Sequence, residues 1–172
     1  GAAVTAVDRS PARLARLREN LTRLKLSATT VEADVSAWQP SQPAKFVLLD
    51  APCTATGTLR RHPDIAYLKN RDDIAGAAAA QQRLLASAAA LVAPGGTLIY
   101  AVCSLQPEEG PAQIAALLDS GAPFERRPIE AAEVGGMAEL IGDRGDLMTL
   151  PCHMADLGGM DGFYAARLVR LS

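Results

Sequence analysis

Three features of the sequence predict an α/β fold built on a mostly parallel sheet. Short apolar strand patterns alternate with helical ones through residue 118, the arrangement of strand–helix–strand units. The runs over 46–49 and 97–102 are almost continuously apolar, as strands buried on both faces are. Past Gly121 helical periodicity gives way to short strand patterns over 124–128, 146–150 and 163–169, which predicts an antiparallel addition, a hairpin-like C-terminal set.

The elements follow in order. A β-branched and alanine run over 3–7 predicts a strand that ends at Asp8. Ser10-Pro11 opens a helix, with serine as N-cap and proline at the first helical position. Leu14, Leu17, Leu21 and Leu24 recur at helical spacing and predict one inward stripe, with the arginines of 10–25 on a solvated face. A second strand fits 28–32 and leads to Asp34, and the proline-containing stretch 36–43 reads as loop. After the strand over 46–49, residues 54–69 read as a polar irregular segment. An alanine-rich helix is predicted over 71–93, stopped by Pro94-Gly95-Gly96. The next helix is predicted over 107–118, with Glu108 and Glu109 in a first turn where negative charge complements the macrodipole. No repeat or linker marks a boundary, so the 172 residues read as one domain.

Composition narrows the classes. Hydrophobic residues make up 49% and charged residues 21%, which excludes a disordered or collagenous chain. No uninterrupted apolar run reaches the length of a membrane span, and the first residues have neither the basic start nor the apolar core of a signal peptide. Three cysteines, Cys53, Cys103 and Cys152, are an odd number without CxxC spacing, so a reducing cytoplasm is expected rather than a disulfide scaffold. A net charge of −2 supplies no general attraction for nucleic acid, so any such binding rests on a local patch.

Two constellations carry chemistry. Asp8, Asp34 and Asp50 stand at or just past the ends of three successive strands, where open α/β sheets bind ligands. Any one of them alone reads more readily as a helix cap or loop residue, whereas the three together point to a nucleoside-containing cofactor. The glycine-rich fingerprint that should precede them is missing from the sequence. Cys53 and Cys103 each end a core strand, each followed by a small hydroxylated residue. A lone cysteine is usually a small buried hydrophobe. Two thiols and the Asp50 carboxylate at one sheet edge instead offer a nucleophile.

The stretches DAPCTATGTLRRHPDI (50–65) and YAVCSLQPEEG (100–110) resemble two signature motifs of the RNA cytosine carbon-5 methyltransferases, the NOL1/NOP2/Sun family. The RRHPDI extension and the TLPCHM…GGMDGFYAARL ending (149–168) look like its bacterial branch, which modifies small-subunit ribosomal RNA. The resemblance runs from Val4 to Leu168. It implies a class I methyltransferase, with a Rossmann-like sheet, and S-adenosylmethionine as cofactor. It implies Cys103 as the nucleophile that adds to carbon 6 of cytosine, and Cys53 as the residue that assists breakdown of the adduct. Asp50 would touch both base and cofactor, Asp8 the cofactor ribose and Asp34 its adenine. Because DNA carbon-5 methyltransferases use a Pro-Cys pair, Cys53 is the second candidate for the nucleophile.

Arg60, Arg61 and His62 form the tight basic cluster near this site and are candidates for RNA phosphate contacts, against the reading of a solvated loop. Neither His62 nor Cys152-His153 has partners at metal-ligand spacing, so no metal is expected. Val102 and Gly110 stand where family members often carry Thr and Asn. The family's glycine-rich cofactor loop and the strand before it would lie upstream of Gly1. The sequence therefore reads as a partial methyltransferase domain lacking its first strand, expected to be poorly stable and to bind S-adenosylmethionine weakly or not at all by itself. A monomer is expected. Two other classes stay open: a non-catalytic RNA-binding or assembly module, which would need neither thiol, and a nucleotide-dependent oxidoreductase, in which the paired cysteine motifs have no role.

Overall fold

The computed structural model describes residues 2–172, and Gly1, the first residue of the stretch with no glycine-rich loop, lies outside them. The chain divides into two compact units, Gly1–Ser41 and Gln42–Ser172.

The first unit is a strand–helix–strand. β1 (Thr5–Asp8) runs parallel to β2 (Thr29–Glu32), with Asp8 opposite Glu32. Between them α1 (Pro11–Leu24) begins as predicted, the Ser10 side chain accepting from the Arg13 N–H and Pro11 sitting in the first turn. The helix closes at Lys25, which is left-handed at φ 56, while the Leu26 N–H returns to the Leu21 carbonyl. The leucine stripe is shorter than its spacing predicts. Leu14 is buried, Leu17 and Leu21 are half-buried, and Leu24 in the last turn is exposed.

The second unit is a five-stranded sheet. β3 (Ala44–Asp50) pairs in parallel with β4 (Val92–Val102), and β4 pairs antiparallel with β7 (Phe163–Arg170). The far edge of β7 is shared by two short strands, β5 (Phe124–Arg126) at its C-terminal half and β6 (Leu147–Thr149) at its N-terminal half. The antiparallel addition is thus organised around β7. Between β3 and β4 come a single helical turn, α2 (Ile65–Leu68), and the long α3 (Arg71–Ala90). Asn70 caps α3 reciprocally with Asp73, each side chain bonding the other's backbone N–H. The helix α4 (Pro111–Asp119) follows β4.

Helix α3 and helix α4 bury Leu85, Ala88, Ala89 and Ile114 against Leu98, Tyr100 and Val102 of β4 and Tyr164, Ala166 and Leu168 of β7. This core corrects the expectation of strands buried on both faces. Phe46 is 79% and Leu48 69% exposed, and Ile99 is exposed as well, while Val47 and Leu49 pack toward the core. Both long helices of the unit lie on the same face, so β3 and β4 alternate in burial despite their continuous apolar sequence.

Two helix boundaries also move. Helix α3 ends at Ala90, because Val92 is buried and pairs with Ala44, and Pro94-Gly95-Gly96 lies inside β4 as the extra residues of a bulge between the Ala44–Val92 and Phe46–Thr97 pairs. Helix α4 starts at Pro111, with Gly110 as N-cap, so Glu108 and Glu109 precede it in a turn and do not sit at its positive end.

Candidate active site

The parallel pairing of β3 and β4 brings two chain segments out of the sheet side by side. Asp50 lies opposite Ala101, and the Ala51 N–H extends the ladder to the Ala101 carbonyl at 3.0 Å. Three residues beyond Asp50 and two beyond Ala101, Cys53 and Cys103 meet with their sulfurs 3.4 Å apart. Both are half-buried free thiols, and Asp50 is exposed at the strand end beside them.

The two sulfurs have different acidity. The hydrogen bond from Cys53 holds the Cys103 thiol down to about 7, against burial and the negative charges of Asp50 and Glu109, which raise it. The same bond pushes Cys53 up, with burial adding to it. A thiol that donates to a neighbouring thiolate is the arrangement these directions describe, with Cys103 as the anion.

Beneath the sulfurs lies a polar network that sequence reasoning missed. Glu109 is fully buried, and its carboxylate accepts from the Thr54 N–H at 2.9 Å, the Thr54 and Ser104 hydroxyls at 2.5 Å each, and Gln81 Nε2 at 3.1 Å. Gln81, from α3, also donates to the Pro52 carbonyl at 2.9 Å. The Thr56 hydroxyl lies 3.1 Å from that of Ser104 and accepts from the Leu105 N–H. The available signal for Glu109 was Gly110-Pro111, a better helix start than Pro107, which leaves Glu109 outside the helix.

A third loop closes over this region. The Gly57 N–H donates to the Cys103 carbonyl at 3.0 Å, and the Gly162 N–H donates to the Gly57 carbonyl at 2.7 Å. A β-carbon on Gly57 would lie 1.9 Å from the Gly162 oxygen, so only glycine fits. Asp161 binds Arg61 in a close ion pair and lies 3.6 Å from Arg60, whose guanidinium also donates to the Gly158 carbonyl at 2.6 Å. The basic cluster therefore first serves to tie residues 60–61 to residues 158–161. Arg61 and His62 remain exposed. Farther along β7, Tyr164 donates to Asp146 at 2.6 Å, and Arg126 pairs with the same carboxylate.

The remaining predicted site residues lie in the first unit. Asp8 accepts from the Ser10 N–H at 2.7 Å and pairs with Arg13 at 2.9 Å, and Asp34 accepts from the Ser36 N–H and hydroxyl at 2.9 and 2.6 Å. The Ser36 contacts hold the Asp34 carboxyl below the usual range. Each aspartate thus caps its own turn at the carboxyl end of the parallel pair. A carboxylate accepts about four hydrogen bonds, so each keeps capacity for a hydroxyl or amino donor, the donor set of a nucleoside. Among the described residues no group of three or more His, Cys, Asp or Glu side chains could hold a metal ion, and no helix is long and apolar enough to cross a membrane. Cys152 is exposed, and His153 Nδ1 accepts from the Leu150 N–H.

The family model described as "16S rRNA methyltransferase RsmB/F" matches residues 1–169. The chain belongs to the RsmB/F family. Among its relatives is the ribosomal RNA small subunit methyltransferase B of Vibrio cholerae, 41% identical over 168 residues, covering 96% of this chain and 35% of that protein. The Proteus mirabilis protein of the same name is 48% identical over 120 residues, covering 68% of this chain and 28% of the relative. The RsmB/F chain thus spans about a third of the length of the curated relatives it matches. A solved methyltransferase homologue from Pyrococcus horikoshii superposes with a TM-score of 0.75 at 27% identity, over 98% of this chain and 53% of that one. The RsmB/F fold is that of the class I methyltransferases, a Rossmann-like mixed α/β sheet.

Proposed function

We propose that this chain carries the reacting centre of an S-adenosylmethionine-dependent methyltransferase that modifies carbon 5 of a cytosine in small-subunit ribosomal RNA. The single observation that carries the reading is the 3.4 Å contact between a depressed Cys103 thiol and Cys53 at the ends of neighbouring strands. Membership of the RsmB/F family supports the substrate class and the cofactor.

Carbon 5 of cytosine is too weak a nucleophile to take a methyl group unaided. Addition of the Cys103 thiolate to carbon 6 forms an S–C bond and moves the C5–C6 π pair onto carbon 5. S-adenosylmethionine, when bound, supplies the electrophilic methyl group. Asp8, Asp34 and Asp50 would hold that cofactor, whose methyl group would be the acceptor for the electron pair that Cys103 places on carbon 5. The carbon 5 proton then passes to a base, the C5–C6 double bond re-forms, and the S–C6 bond breaks to return Cys103 as thiolate. Cys53 assists this last step. Asp50 acts on the base and the methionine end of the cofactor, with Asp8 as ribose ligand and Asp34 as adenine neighbour. Arg60, Arg61 and His62 contribute phosphate contacts. We read the 172 residues as part of one methyltransferase domain, and the protein as a monomer of the cytoplasm, where both thiols stay reduced.

Trapping of covalent RNA adducts tests the assignment. With the full-length protein and unmodified ribosomal RNA, Cys103→Ala forms no adduct and Cys53→Ala accumulates one. The reverse result overturns the roles, and absence of methylcytosine from the wild-type reaction overturns the function.

A further inference from the structure

Each thiol is followed directly by a buried hydroxylated residue, Thr54 after Cys53 and Ser104 after Cys103, and both residues converge on one carboxylate. We propose that Glu109 is the positioning residue of the reaction: its buried carboxylate grips Thr54 and Ser104 and thereby sets the spacing of the Cys53 and Cys103 sulfurs. This inference rests on the thiol chemistry proposed above and adds a residue that never touches the substrate.

The geometry is a two-armed clamp. Oε1 accepts from the Thr54 peptide N–H, the amide bonded to the Cys53 carbonyl carbon, and Oε2 accepts both the Thr54 and Ser104 hydroxyls. Glu109 is itself anchored, since its carbonyl accepts from the buried Tyr100 hydroxyl of β4 at 2.6 Å. Gln81 grips the other side of the Cys53 turn by bonding both Pro52 and Glu109. Main-chain atoms on both sides of Cys53 and the side chain next to Cys103 are therefore referred to one rigid point.

The cost of this choice argues that it serves the site. A buried carboxylate is expensive to desolvate, and its donors from Thr54, Ser104 and Gln81 are all neutral, with no cation among them. Its charge also opposes the chemistry, because it raises both thiols. An apolar residue would fill the space at lower cost and leave Cys103 more acidic. What only the carboxylate supplies is acceptor capacity for four donors arriving from three chain segments. A thiolate misplaced by about 1 Å is enough to cost on the order of 100-fold in rate.

The test uses the full-length protein with three readouts: methyl transfer to unmodified ribosomal RNA, its pH profile, and bridging of Cys53 to Cys103 by a bifunctional thiol reagent. Glu109→Ala is expected to lower kcat by about 100-fold with KM within about threefold, and to slow bridging by about tenfold. Glu109→Gln keeps the shape and part of the bonding, so kcat stays within about tenfold of wild type while the rising limb of the pH profile moves to lower pH. That limb reports Cys103, which feels Cys53, Asp50, Glu109 and the Arg61 guanidinium, and only the Glu109 charge is altered. The limb shows that the carboxylate stands charged beside the thiols, and the bridging rate shows that it sets their spacing; a residue that only fills the core would move neither. If circular dichroism shows Glu109→Ala unfolded, Ser104→Ala, which removes one arm, carries the same expectation at about tenfold. Wild-type kcat and bridging in whichever of these variants folds, or an unmoved limb in Glu109→Gln, overturns the clamp. Bridging needs no RNA, so it judges the clamp even if the methylation reading fails.

Discussion

The Cys53 sulfur lies 3.4 Å from the Cys103 sulfur, and the bond between them makes the two thiols unequal. In the proposed chemistry, the residue that holds the nucleophile as an anion is also the one that would assist its release. One consequence is a measurable pH dependence. Cys103 is held down to about 7, so its thiolate fraction, and with it the rate of alkylation by iodoacetamide, rises through about pH 7 in the wild type. Cys53→Ala removes the lowering bond while burial and the Asp50 and Glu109 charges remain, so the midpoint moves up, toward or above an ordinary thiol's value of about 8.5. A midpoint that stays where it was contradicts the pairing.

The glycine contact between Gly57 and Gly162 is equally open to test. Gly57→Ala drives a β-carbon into the Gly162 carbonyl and to 3.0 Å from the Cys103 carbonyl, so three loops must shift together. Overpacking of this kind costs about 1–3 kcal/mol. A lowered melting temperature with reduced methyl transfer is expected, whereas Gly76→Ala, with nothing near its β-carbon on the exposed part of α3, leaves methyl transfer unchanged and raises the melting temperature slightly, through a helix propensity better by about 1 kcal/mol.

The Arg126–Asp146–Tyr164 network bears on stability. Asp146 is 5% exposed, and Asp146→Ala leaves Arg126 charged and largely buried without its partner, a loss of about 3–5 kcal/mol. Tyr164→Phe removes a single hydrogen bond and costs about 1–2 kcal/mol. Urea titration of the two variants gives the comparison, and equal losses would show that the ion pair is not the dominant part.

Arg61 distinguishes an RNA contact from a loop tie. If its guanidinium meets a phosphate, Arg61→Ala weakens RNA binding and reduces the slope of log affinity against log salt by about 1. Asp161→Asn releases the same guanidinium and is expected to strengthen binding at low salt. An unchanged slope in Arg61→Ala confines the residue to tying its loop to Asp161.

The strands and helices were legible because their signals are local: Ser10-Pro11 at α1, the apolar run of β3, the glycine past α4. The order of strands was not, since nothing local in Phe163–Arg170 says that it lies between β4 and β5. Nor do the apolar runs reveal that Phe46 and Leu48 face outward, because that depends on which face both helices choose. At the site, Cys53 and Cys103 could be named from motifs, but their contact follows from the parallel register of Asp50 with Ala101. Glu109 was hidden by an adjacent glutamate and a helix start misplaced at Pro107. The pairing of Arg60 and Arg61 with Asp161 joins residues about a hundred positions apart, beyond any pattern in the sequence.

The position of β7 has a bearing on how the protein is made. It follows every other strand in the chain, yet it supplies the pairing edge for β4, β5 and β6. During synthesis those strands leave the ribosome before their common partner exists, and their backbone groups wait for it. Only the β3–β4 pair can form early, and the other three pairings of the second unit's sheet wait for β7, a slow and non-local kind of assembly. An interruption of translation before Gly162 leaves β3 and β4 able to pair beside the two thiols, but strips β4, β5 and β6 of their common partner and Gly57 of the Gly162 N–H that closes over the sulfurs.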